Sequence, residues 1–180
     1  MRTVPESQLR QFSAAALAAI GSAPDIAQIV ADSLVEANLM GHDSHGVLRL
    51  PWYVAHARSG QVLPAARPSL VASSGATAQV DGGLGWGAPA ARLAAETAID
   101  IACTQGVAAV NIRNCNHIGR VGAYVEMIAA AGMVGIALCN ASTSVAPFGG
   151  YGRLMGTNPA HRFAFIQDNA AALDEEMIDA

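Results

Sequence analysis

The segment Gly41-His42-Asp43-Ser44-His45-Gly46-Val47-Leu48-Arg49-Leu50-Pro51-Trp52-Tyr53 places an imidazole four residues ahead of a guanidinium. If the chain is helical from Gly46 onward, that spacing brings His45 and Arg49 close together. A histidine exchanges a proton near neutral pH. An arginine grips a carboxylate through two parallel hydrogen bonds. The pair therefore suits a substrate with a carbonyl beside a carboxylate. Two other readings fit the same letters. His42 and His45, three residues apart, could share a metal ion, although neither an HExxH pattern nor a nearby cysteine accompanies them. Asp43 or Ser44 could cap a helix, with both histidines satisfied locally. The density of Gly-His-x-Ser-His-Gly-x-x-Arg favours catalysis, and no metal is expected.

A second polar cluster, Asn114-Cys115-Asn116-His117-Ile118-Gly119, follows an apolar run and precedes a helical one. That is where site residues lie in open α/β sheets. Two asparagines and a glycine also make an ordinary turn. A turn does not explain His117, so proton transfer or binding stands beside a capping role. Asp81-Gly82-Gly83-Leu84-Gly85-Trp86-Gly87-Ala88 spells G-x-G-x-x-A between a strand and a helix. The letters match a dinucleotide fingerprint. However, the next strand ends in Asn111 and Arg113 and offers no ribose-binding acid. A tightly packed glycine turn is the better reading. Two further loops, Cys139–Gly150 and Gly156-Thr157-Asn158-Pro159, are rich in small hydrogen-bonding residues. Such loops are either ordinary connections or cofactor cradles.

The elements that must hold these residues are legible in outline. Thr3-Val4-Pro5-Glu6 reads as a capping box, followed by Leu9, Phe12, Ala16 and Leu17 at helical spacing up to Gly21. Ser22-Ala23-Pro24-Asp25 opens a second helix in the same way. Ile26, Ile29, Val30, Leu34 and Leu39 form its apolar face, and Gly41 ends it. A third helix runs from about Gly46 to Arg58, where Pro51 kinks it or splits it. Residues 1–60 thus form a helical lobe. Residues 61–68 are proline-rich and read as a linker. Residues 69–159 then give strands at 69–73 and 77–81, a helix at 87–104, a strand at 107–112, a helix at 121–131 and a strand at 134–138. This alternation makes the second lobe α/β or α+β. Residues 160–180 gather Asp168, Asp174, Glu175, Glu176 and Asp179 and read as a solvated, divergent acidic tail.

Composition narrows the function classes. The 180 residues are 52% hydrophobic and carry a net charge of −4, which favours neither nucleic acid nor an anionic membrane. All ten basic residues are arginine, so Schiff-base lysine chemistry and a Walker lysine are excluded. Cys103, Cys115 and Cys139 form no CxxC pair, and their odd number fits a reducing cytoplasm. The polar start lacks a signal-peptide order, and no apolar run reaches the roughly 20 residues a membrane span needs.

Four blocks taken in order, Gly41–Gly46 with Arg49 and Tyr53, Asn114–Gly119, Val145–Gly150 and Gly156–Pro159, resemble the malate/L-lactate dehydrogenase family of the second type. That family includes ureidoglycolate and sulfolactate dehydrogenases, diketogulonate reductase and a cyclic-imine carboxylate reductase. The resemblance spans roughly residues 3–159. It implies a non-Rossmann oxidoreductase using NAD or NADP on a small 2-hydroxy or 2-oxo acid, as a homodimer. By position it makes His45 the proton donor, Arg49 the carboxylate-binding residue and His117 an acid/base. It places Asn140, Ser142, Gly156, Thr157 and Asn158 at cofactor and substrate contacts. Family members are about twice this length, and the pattern is expected to break after Pro159. The resemblance therefore also admits a truncated, inactive fragment that at most dimerises or binds a ligand.

Overall fold

The structure, a computed structural model, describes residues 3–164. Three helices come first: α1 (Glu6–Ala19), α2 (Pro24–Leu39) and α3 (Leu50–Arg58). Each ends in the same way. After α1 the Ser22 amide donates to the Leu17 carbonyl and the Gly21 amide to Ala18. After α2 His42 reaches Ala37 and Gly41 reaches Asn38, and after α3 Gln61 reaches His56 and Gly60 reaches Ala57. This paired pattern needs a left-handed residue just past the helix, which Gly21, Gly41 and Gly60 supply. The helix starts differ from expectation. Thr3 caps nothing, because α1 begins at Glu6 behind Pro5 with no side-chain capping bond. Proline fixes φ for the first turn, and Glu6 there complements the positive helix end without a capping box. In α2 the position before the helix is Ala23, and Pro24 starts the first turn.

The second lobe contains β1 (Ser69–Ser74), β2 (Thr77–Asp81), α4 (Gly87–Gln105), β3 (Ala109–Arg113), α5 (Gly122–Ala130), β4 (Val134–Leu138) and β5 (Ala160–Ala164). β1 and β2 form an antiparallel hairpin, and β3 lies parallel to β2 after the α4 crossover. β4 does not join that sheet. It pairs antiparallel with β5 instead. The reading of residues from Ala160 onward as a solvated tail therefore fails over Ala160–Ala164. Those residues hydrogen-bond along the whole of β4, a long-range pairing that local composition does not reveal. The remainder of the expected acidic tail lies outside the described residues.

Leu17, Ile26, Val30, Leu34, Leu50 and Tyr53 form the core of the helical lobe. Val62 and Trp86 complete that same core. The segment after α3 is therefore docked, although it has no helix or strand: Val62 is 2% exposed and the Leu63 amide donates to the Leu84 carbonyl at 2.9 Å. A second apolar cluster joins Val80 to Ala90 and Ala94, and a third joins Ala91 and Ala95 to Tyr124. Two of the expected apolar positions point outward: Phe12 is 66% and Leu39 59% exposed.

Candidate active site

His45 and Arg49 do not lie on one continuous helix. Asp43–His45 and Val47–Arg49 are two short 3-10 turns, and α3 begins only at Leu50. Pro51 sits in the first turn of α3, so the proline splits the expected helix at its start. Asn38, near the end of α2, braces these turns. Its Oδ1 accepts from the Val47 amide at 2.9 Å, and its Nδ2 donates to Asp43 Oδ1. Gly46 passes directly over the Asn38 amide, where a Cβ would collide with it. Arg49 turns back so that its Nε donates to the Ser44 carbonyl at 2.6 Å. Its guanidinium carbon lies 5.8 Å from the Trp52 ring centroid. With the Nε edge engaged, the two terminal nitrogens remain the pair suited to a carboxylate.

His117 reaches this group from the other lobe. Its ring stacks on that of His45, with centroids 5.5 Å apart and planes 21° from parallel. Its Nδ1 lies 2.8 Å from the Tyr53 hydroxyl, and Ser44 Oγ lies 3.0 Å from His45 Nδ1. The loop carrying His117 is laced to the glycine turn after β2. Asp81 accepts from Arg113 Nε at 2.8 Å, from the Gly83 amide at 2.8 Å and from Asn114 Nδ2. Asn116 Nδ2 donates to the carbonyls of Leu84 and Gly85 at 2.8 and 2.9 Å. Gly87, at the start of α4, runs so close to the carbonyls of Asn116 and His117 that a Cβ would overlap both. The G-x-G-x-x-A letters therefore encode close packing of two loops, as the glycine-turn reading expects. Arg120 also ties the lobes: its guanidinium, 8% exposed, bonds Glu126 on α5 and reaches Glu36 on α2 at 3.3 Å.

Electrostatics set the charge state of His117 and Tyr53. Burial, with Arg49 and His45 nearby, pushes His117 down to about 4, so its ring is neutral at physiological pH. Burial likewise pushes the Tyr53 phenol up, so it stays protonated.

His45, Arg49 and His117 line one open groove of about 1730 Å³. His45, Arg49, Trp52 and Asn114–Gly119 form one part of it. Asn140, Ser142, Thr157 and Asn158 line another, so the structure brings both sets of expected residues onto one surface. Gly156 is not in the lining; its backbone packs against Ala141, leaving no room for a side chain. Asn158 accepts the Ala141 amide through Oδ1 at 3.0 Å, and the pairing of Val145 with Met155 closes the intervening loop. Asn140, Ser142 and Thr157 are exposed in the groove, and such amide and hydroxyl groups suit ribose hydroxyls and a carboxamide. The donor set thus fits a nicotinamide cofactor. Residues of β3, of β4 and alanines of α4 line the rest of the groove, and among the described residues β3 and β4 pair with no strand but β2 and β5 respectively. Among the described residues no group of three His, Cys, Asp or Glu side chains is placed to hold a metal ion, and no helix is long and apolar enough to cross a membrane.

Sequence reasoning missed Asn38, Ser22, Trp86 and Arg120. Only Asn38 carries a local signal: a polar residue one turn before a glycine helix stop, followed closely by the histidine motif.

The family profile of malate/L-lactate dehydrogenases matches residues 4–171. The match runs past Pro159, so the expected break at that point is not supported. An L-sulfolactate dehydrogenase from Methanocaldococcus jannaschii is 39% identical over 152 residues, covering 81% of this chain and 44% of its own length. The malate dehydrogenase structure from Pyrococcus horikoshii OT3 superposes with a TM-score of 0.86 at 38% identity, covering 93% of this chain and 48% of that one. A delta1-piperideine-2-carboxylate reductase structure from Pseudomonas syringae gives 0.83 at 32% identity, covering 91% and 49%. The chain spans about half the length of the relatives it matches.

Proposed function

The chain belongs to the malate/L-lactate dehydrogenase family, and from that premise we propose that it carries the proton-transfer and carboxylate-binding part of a nicotinamide-dependent 2-hydroxy-acid dehydrogenase. The observation that carries this reading is the convergence of His45, Arg49 and His117, from two lobes, on the groove that Asn140, Ser142 and Thr157 also line.

Arg49 holds the substrate carboxylate through its terminal nitrogens, because its Nε is committed to Ser44. That grip sets the neighbouring carbonyl beside the stacked imidazoles. His45 gives a proton to the carbonyl oxygen during reduction and takes it back during oxidation. His117, half-buried and pushed down to about 4, is neutral at pH 7, which leaves His45 as the proton carrier on this reading. Asn140, Ser142 and Thr157 would hold the nicotinamide cofactor, NAD or NADP, which supplies or accepts hydride when bound. The assembled enzyme is a homodimer on this reading. The three unpaired cysteines suit a reducing compartment, the cytoplasm.

A chimera tests the proposal. This chain replaces the matching 48% of the Pyrococcus horikoshii malate dehydrogenase. The chimera should reduce 2-oxo acids with NADH or NADPH. Arg49→Ala in it should raise KM for the 2-oxo acid by about a hundredfold or more, the value of a charge-assisted pair. An unchanged KM removes Arg49 from the carboxylate site.

The second reading, that this chain by itself is an inactive fragment, is favoured by its span of about half its relatives. Absence of turnover by the chain alone, with turnover by the chimera, is the result expected on that reading.

A further inference from the structure

Tyr53 lies where the two lobes meet. It is 4% exposed and its ring stacks on Trp86, with centroids 5.1 Å apart and planes at 25°. Trp86 is itself anchored, because its Nε1 donates to Ser22 Oγ at 2.7 Å. The phenol is thus held between α3 and the start of α4 with little freedom to turn. Among the described residues its hydroxyl has one hydrogen-bond partner, His117 Nδ1 at 2.8 Å.

That single partner fixes the direction of the bond. A hydroxyl carries one hydrogen and two lone pairs. If the buried hydroxyl accepted from Nδ1, its own hydrogen would have no acceptor, at the full cost of a buried unsatisfied donor. If it donates to Nδ1, only lone pairs go unused, a smaller loss. His117 Nδ1 is then the bare nitrogen, and the one proton of the neutral ring sits on Nε2.

We propose that Tyr53 is a positioning residue which locks His117 as the Nε2–H tautomer, so that His117 meets a substrate oxygen as a hydrogen-bond donor and never as a base. The tautomer assignment rests on the geometry alone. Its consequence for the substrate rests on the dehydrogenase reading above. A neutral donor beside the proton carrier His45 suits a carbonyl or hydroxyl oxygen, which accepts from both rings as negative charge develops on it. The lock also divides the labour between two otherwise similar imidazoles. Ser44 and Tyr53 engage the two Nδ1 atoms, and the ring paired with Tyr53 is held in one tautomer by a clamped, buried donor.

The test is imidazole 15N NMR on the full chain labelled at histidine, at neutral pH with neither cofactor nor substrate present. The wild-type His117 should show an unprotonated Nδ1 and a protonated Nε2. Tyr53→Phe keeps the ring stack on Trp86 and removes only the hydroxyl, and it should turn the His117 signals into an exchange-averaged mixture of both tautomers. The signals of His42 and His56 should stay in place. A purely structural Tyr53 would change stability and leave the tautomer ratio alone. An Nδ1–H tautomer in the wild type, or an unchanged His117 spectrum in Tyr53→Phe, overturns the proposal. The wild-type spectrum decides the assignment even if the variant does not fold. Because the sample contains no ligand, failure here leaves the dehydrogenase reading standing, and an inactive chimera leaves the tautomer assignment standing.

Discussion

His117 couples the site to stability. Its ordinary value is 6.5 and burial beside Arg49 and His45 brings it to about 4 in the folded chain. Between those two values the unfolded chain takes up a proton that the folded chain refuses. Stability is therefore complete above about pH 6.5 and falls as the pH drops toward 4. Over that window the loss should approach about 3 kcal/mol, at about 1.4 kcal/mol for each pH step of one. Asp25 and Asp81, held low by Arg67 and by the Gly83 amide respectively, lose their contributions only in stronger acid. Urea unfolding from pH 7 to 4.5 should show a steep fall that flattens in His117→Gln. An equal slope in that variant would mean the ring is not held neutral. At this scale the histidines and Arg49 were legible in the sequence, because few residue types exchange protons or grip carboxylates. Their partners were not. Tyr53 meets His117, Trp86 stacks on Tyr53 and Ser22 anchors Trp86 only through packing between segments more than thirty residues apart, which no local pattern encodes.

The elements position the site through two close approaches. Asn38 ties the 3-10 turns to α2, and Gly87 lets α4 start against the His117 loop. Asn38→Ala leaves the half-buried Val47 amide without its acceptor and should cost about 1–2 kcal/mol. Gly87→Ala forces a Cβ into the carbonyls of Asn116 and His117 and should cost about 1–3 kcal/mol. Thermal melts measure both costs, and only Gly87→Ala should also shift the His117 imidazole signals. The helix ends were readable from Gly21, Gly41 and Gly60, because a left-handed residue after a helix leaves a glycine in the sequence. The helix starts were misread. Thr3 and Ser22 spell caps, but the prolines that follow set the first turns instead, and Ser22 is used by Trp86. β4 showed its apolar run, whereas β5 depends on β4 for its strand character.

The whole chain leaves large apolar side chains in water. Val134 is 71% exposed, Ile136 67% and Leu138 74%, all on β4. Phe12 on α1 adds to them. Each forgoes roughly 1.5–3 kcal/mol, against a typical total stability of about 5–15 kcal/mol. Relatives with the same arrangement have about as much chain again, and β3 and β4 each keep an edge that pairs with no strand among the described residues. The isolated chain should therefore melt below about 55 °C, self-associate on warming and bind NAD(H) or NADP(H) weakly at best. Calorimetry checks this, and a higher, reversible transition with micromolar cofactor affinity would contradict it.

On the proposed reading, His45 moves the proton while other residues hold the ligands. The most direct test is His45→Ala in the Pyrococcus horikoshii chimera, with 2-oxo acid turnover and NADH or NADPH affinity measured on the same preparation. The predicted result is a fall in kcat of about 10²–10⁴-fold, the usual contribution of a positioned acid, with cofactor affinity nearly unchanged. Turnover close to that of the parent chimera would contradict the role of His45.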